Sequence, residues 1–209
     1  MRGDSVTRIA PVVVVSTLFL ALPLVSFGQV HDKFEGWCPT LEATTSPELT
    51  KFLISVVPGE ANARCVAWAI HRLGKERYEP AIPSLVRLLD FRRPQTDGED
   101  TVGGFSKEIF PASVALEIIG KKALPELLRA IEADGTSGKS RQKAVDVWME
   151  IYRQLDERPK GVGDLKQEEI QINDNAIKGR LKWAVQRAVT MCDATELADC
   201  QKAGRVEQP

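Results

Sequence analysis

One pattern constrains this chain more than any other: an apolar helical run closed by a glycine, followed a few residues later by a second run that opens on a proline. The segment ALEIIGKKALPELLRAIE, Ala115 to Glu132, places Ala115, Leu116 and Ile119 before Gly120, and Ala123, Leu124 and Pro125 before Leu127, Leu128 and Ile131. The same order occurs earlier, as Ala69, Ile70, Leu73 and Gly74, then Ala81, Ile82, Pro83, Leu85, Leu88 and Leu89. The two glycines lie 46 positions apart and the two prolines 42. Glycine can adopt the left-handed conformation that ends a helix, and proline presets the first turn of the next. The pattern predicts repeated helical hairpins. A single hairpin cannot bury its apolar face, so neighbours must stack.

Elsewhere apolar residues also recur at intervals of three and four, the helical period. Ser46, Pro47 and Glu48 read as an N-cap, a first-turn proline and an acidic first turn, ahead of the stripe Leu49, Phe52, Leu53 and Val56. A second helix is expected from Ala63 to Leu73. A third unit carries Ala144, Trp148, Ile151 and Leu155, then a turn at Arg158 to Gly161 and a weaker helix from Asp164 to Ile172. The last long helix, Asn175 to Met191, aligns Ile177, Leu181, Ala184, Val185 and Ala188. The expected fold is all-α, a short α-solenoid of about three to four stacked hairpins with atypical capping ends. It occupies residues 46–192, between an extended segment at 29–45 and a tail at 193–209, with a long loop at 91–109.

At these residues the chain resembles the HEAT repeat family, in its short form with an alanine-rich first helix and a second helix opening on "IPSLV" or "LPELL". The likeness spans Asn62 to Leu155. It implies a right-handed solenoid that acts as a protein-binding scaffold, and it carries no catalytic residues. The segments RCVAWAIHRLGKERYEPAIPSLVRLLDFRRP and LKWAVQRAV are also similar to an exported bacterial group of HEAT-like proteins.

Export is expected from the front of the chain. Arg2 and Arg8 precede the apolar run Pro11 to Val25, and Ser26 and Gly28 suit a cleavage site before Gln29, so residues 1–28 read as a secretory signal peptide. An uncleaved membrane anchor is the alternative, because Ile9 to Phe27 approaches spanning length. Outside a reducing cytosol, Cys38, Cys65, Cys192 and Cys200 are expected in disulfides. Three connectivities are possible; Cys38 with Cys65 and Cys192 with Cys200 are favoured because each pair lies close along the chain. No CxxC or Cys/His spacing suggests zinc. Twenty-eight basic and 29 acidic side chains leave no excess positive charge to attract a nucleic acid.

Several motifs are decoys. Ala133 to Ser140 (ADGTSGKS) satisfies a relaxed P-loop pattern, but the preceding residues read as a helix where a phosphate-binding loop needs a strand. A flexible interhelix loop with Ser140 capping the next helix is expected, and no nucleotide. Ser140 and Lys143 match SxxK without the companion motifs of penicillin-binding enzymes. His71 reads as a packed or surface histidine. Asp97, Glu99 and Asp100 in the long loop lack EF-hand spacing for calcium, so a solvated loop is expected there, with a partner-contacting loop as the alternative. Trp68, Trp148 and Trp183 are expected to pack between helices.

The leading expectation is an exported, noncatalytic protein-interaction scaffold with no cofactor and no metal. Ser84, Arg87, Glu126 and Arg129 fall between the buried positions of the second helices and should face outward. With Arg92 and Arg93 at the start of the long loop, the candidate partner-contacting residues are Arg87, Arg92, Arg93, Glu126 and Arg129. An enzyme or small-ligand binder would instead show a deep pocket with convergent polar groups beside the 91–109 loop. A structural cell-envelope protein is the third possibility.

Overall fold

The computed structural model describes residues 36–94 and 109–205. The expected signal peptide and the acidic residues Asp97, Glu99 and Asp100 of the long loop therefore lie outside the described residues. The chain is all-α: no strand occurs among the described residues. Nine α-helices follow in order among the described residues: α1 (Ser46–Ser55), α2 (Ala63–Lys75), α3 (Ile82–Arg87), α4 (Pro111–Ile119), α5 (Leu124–Glu132), α6 (Gly138–Arg153), α7 (Arg158–Gln171), α8 (Asn175–Thr190) and α9 (Leu197–Gly204). Short 3-10 turns at Glu79–Ala81 and Gly120–Ala123 lead into α3 and α5, whose prolines occupy the first turn as expected.

Helix contacts run in two series. One passes from α2 to α4 to α6, the other from α1 to α3 to α5 and then to α8. Helix α7 packs on α6, α8 and α9, so the order of neighbours changes after the third pair. The apolar stripes meet in one core that includes Leu49, Leu53, Ile70, Leu73, Leu85, Leu116, Leu127, Ile131, Ile151, Leu165 and Leu181, all at most 1% exposed.

The two glycines of the repeat behave differently. Gly120 has φ +79° and closes α4, as the pattern predicts. Gly74 stays inside α2 and is buried against Ala115 of α4; the positive φ of that hairpin falls on Arg77 instead.

Local boundaries shift as well. The N-cap of α1 is Thr45 rather than Ser46, because the Glu48 carboxylate accepts both the Thr45 amide (2.9 Å) and its hydroxyl (2.8 Å). Ser137, not Ser140, caps α6 and accepts the Ser140 amide at 3.0 Å. Pro159 lies in the first turn of α7, so the expected turn at residues 158–161 is already helix. Leu155 follows the end of α6 and is 43% exposed, which takes it off the apolar stripe; Trp183 is likewise exposed.

Disulfides join Cys38 to Cys65 and Cys192 to Cys200. The first fastens the extended segment to α2, helped by Arg72, which donates to the Glu42 carbonyl at 2.8 Å. The second fixes α9 beyond the end of α8, so the tail expected from residue 193 contains a helix. Arg158 strengthens this corner with bonds to Asp193 (2.9 Å) and Glu196 (2.7 Å).

Candidate functional site

The face proposed from the sequence is largely satisfied by its own contacts. Ser84 is buried, not outward, because α3 is short and wedged between α1, α4 and α5. Arg87 is exposed and donates to the Leu53 carbonyl at the end of α1. Arg129 pairs with Glu126, three residues back on α5. Arg93 is only 7% exposed, which corrects its assignment as a partner-contacting residue. Its guanidinium donates to the Pro94 carbonyl, and its amide donates to the Ile109 carbonyl at 3.0 Å. That backbone bond brings residues 93 and 109 together and buries the arginine in the junction. Arg92, next to it, is exposed.

Arg92 borders a cleft of about 980 Å³ on the other side of the molecule's hairpins, along the first helices of the repeat. Its walls are one face of α4, with Ser113 and Glu117, and one face of α6, with Lys139, Lys143, Asp146 and Glu150. Those α6 positions recur at three and four, so they share a side of the helix. Asp90, Phe110, Arg187 and Met191 complete the rim. Val147 forms the floor between the walls, while Ala144, Trp148 and Ile151 hold α6 in the core, and the Trp148 indole N–H donates to the Gly161 carbonyl of α7 at 3.0 Å.

The cleft carries four cations and four carboxylates, and most are matched. The Arg187 guanidinium holds Asp146 through two bonds of 2.8 and 2.6 Å. Glu150 pairs with Arg153. Asp90 accepts the hydroxyls of Ser137 and Ser140, each at 2.6 Å, at the amino end of α6. Lys143 is half-buried with its ammonium 3.4 Å from the centroid of the Phe110 ring, and the Arg92 guanidinium lies 5.3 Å from the same centroid. Burial pushes the Lys143 ammonium below its usual range, although the charges of Asp146 and Asp90 oppose the shift. The Ser113 hydroxyl, on the α4 wall, is buried without a hydrogen-bond partner.

The decoy motifs resolve in the same region. The residues before Ala133 form α5, so Ala133 to Ser140 follows a helix. The loop is not loose: Arg141 donates to the carbonyls of Ile131 (2.9 Å), Ala133 (2.9 Å) and Thr136 (3.2 Å). Ser140 and Lys143 of the SxxK match part company, one hydroxyl turned to Asp90 and the ammonium to Phe110. Among the described residues no cluster of His, Cys, Asp and Glu could hold a metal ion, and no helix is long and apolar enough to cross a membrane.

Of the cleft residues, sequence reading named Arg92 as a contact. It missed Phe110, Ser113 and Asp146, and met Lys143 only inside a rejected motif. The available signal was the polar stripe of α6, which is indistinguishable in sequence from ordinary solubilising charge. Comparison of the chain with protein-family models, with curated proteins and with solved structures finds no match.

Proposed function

We propose that this chain is an exported, noncatalytic binding module of the HEAT-like α-solenoid kind, which holds another protein in the cleft between α4 and α6. The observation that carries the reading is the cleft itself: a large concavity on the first-helix side, walled by charged side chains of α4 and α6. The two series of helix contacts, each formed by successive hairpins, support the solenoid reading. Two disulfides and an apolar amino-terminal run support export. The noncatalytic reading is supported by how the polar groups are used. Asp90 accepts the Ser137 and Ser140 hydroxyls, and Asp146 and Glu150 neutralise arginines, so none of the three is left aimed at a nucleophile.

A second reading, a small-ligand-binding protein, is favoured by one observation. The cleft volume of about 980 Å³ falls within the range of roughly 300–1,000 Å³ typical of small-molecule sites, and its lining includes Arg92, in the described start of the 91–109 loop, and Phe110 just after it.

A photo-crosslinking side chain at Gln142, exposed on the cleft wall, tests the leading reading in the native envelope fraction, with the same group at Arg129 as the comparison. Protein adducts at Gln142 and not at Arg129 are expected. Adducts only at Arg129 would return the binding face to the second helices, and adducts at neither would sink the scaffold reading.

A further inference from the structure

The charges of the cleft sort by whether a partner answers them. Asp146, Glu150 and Asp90 are each engaged by arginine or serine. Arg92 and Lys143 meet no carboxylate within ion-pair distance among the described residues, and both lie over the Phe110 ring. Phe110 is the N-cap of α4, so both cations gather at the positive end of that helix. Ser113, 9% exposed, lines the same end and has a hydroxyl with no partner. Two cations on one ring repel each other, and a buried hydroxyl without a bond is costly. A single anion placed between them relieves both.

We propose that the Phe110 end of the cleft is a carboxylate-binding subsite, in which Arg92 and Lys143 clamp the anion at the amino end of α4 and Ser113 donates to it. The inference rests on reading the cleft as the binding face. Asp90 and Asp146 stand close enough to act on Lys143, and their repulsion of a doubly charged group is about twice that of a carboxylate. The planar fork of Arg92 matches a carboxylate's two oxygens. The carboxylate belongs to an acidic side chain of a polypeptide, because the cleft continues along α6 to Glu150, about 10 Å past Lys143, and leaves room for the chain that carries it.

The test uses the full mature chain with both disulfides intact and measures fluorescence anisotropy of a capped peptide with two central glutamates against its glutamine counterpart. The glutamate peptide is expected to bind at least about tenfold more tightly, as loss of a charge-assisted pair would dictate. Lys143→Met and Arg92→Gln should each weaken it about tenfold and Ser113→Ala about threefold, while Arg129→Gln leaves it unchanged. Free glutarate distinguishes the source. Displacement only at far higher concentration assigns the carboxylate to a polypeptide, displacement at equal concentration assigns it to a small acid, and both support the subsite. Equal binding of the two peptides, no binding of either, or undiminished binding by a Lys143→Met protein that melts like the wild type overturns it. Inorganic phosphate competing as well as glutarate overturns the choice of carboxylate. Crosslinking at Gln142 is read independently, so the subsite can fail while the cleft stands as a binding face.

Discussion

Gly74 and Ala115 bring α2 and α4 into backbone contact: a β-carbon at Gly74 would stand 2.6 Å from the Ala115 β-carbon and 2.7 Å from its α-carbon. Neither atom can move away without shifting a helix. Gly74→Ala is expected to cost about 1–3 kcal/mol through overpacking, read as a lower urea midpoint with unchanged slope. Adding Ala115→Gly should recover part of the loss, a positive coupling between the two sites. Gly120→Ala should cost a similar amount for a different reason, since φ +79° and ψ −145° strain any β-carbon although nothing lies within 4 Å of it. No second substitution that removes a neighbouring side chain should rescue Gly120→Ala.

The two disulfides should contribute unequally. Their sequence separations are 27 for Cys38–Cys65 and 8 for Cys192–Cys200. Loop-closure entropy alone then gives about 3.5 and about 2.5 kcal/mol. Replacing each pair by alanines and comparing urea midpoints should show the larger loss for the first pair. The order would reverse if anchoring α9 to α7 and α8 mattered more than chain entropy.

The hairpins were legible because burial enforces a period. Leu127 and Ile131, or Leu181, Ala184 and Ala188, are apolar for the same reason that they are 0% exposed. Gly74 and Gly120 look alike in sequence, yet one allows two helices to touch and the other permits a backbone turn. That difference depends on which helix lies opposite, and only the fold supplies it. The cleft was illegible for a related reason. Periodicity separates the inner from the outer face of α6, but whether the outer face meets solvent or the rim of Phe110 depends on residues 30 or more positions away. Ser84 shows the opposite error: a small polar residue between apolar neighbours reads as outward, and close packing of α3 buries it.

Glu132 should make stability depend on pH in the opposite sense to most carboxylates here. Burial first, and the charge of Glu168 second, raise its folded-state value, and it sits at the negative end of α5. A raised carboxylate contributes stability below its unfolded value, about 4.3, and loses it as pH rises through the folded value. Glu132→Gln should therefore melt higher than the wild type at neutral pH and not at about pH 3. Asp174 is the converse, lowered by the Ile177 and Ala176 amides it caps. Its contribution is present above the unfolded value and fades as pH falls through the folded one. Asp174→Ala should thus be less stable than the wild type at neutral pH, with the gap closing in acid.

Lys143 offers the clearest separation of binding from folding. Its ammonium is held below the usual range chiefly by desolvation, so the folded state binds this proton less tightly than the unfolded chain does. The charge is then a cost to folding at neutral pH, removed only as pH rises past the unfolded value near 10.4. Methionine keeps the length of the side chain, packs well on the Phe110 ring and carries no charge. Lys143→Met should leave the thermal midpoint at pH 7 unchanged or raise it, while weakening the glutamate peptide about tenfold. Val145→Ala, two residues along α6 at a position 0% exposed and outside the cleft lining, is the control for simple packing. It should lose about 1–3 kcal/mol of stability and alter peptide affinity only in proportion to unfolding. If Lys143→Met instead falls in stability as Val145→Ala does, the lysine serves the core and not the cleft.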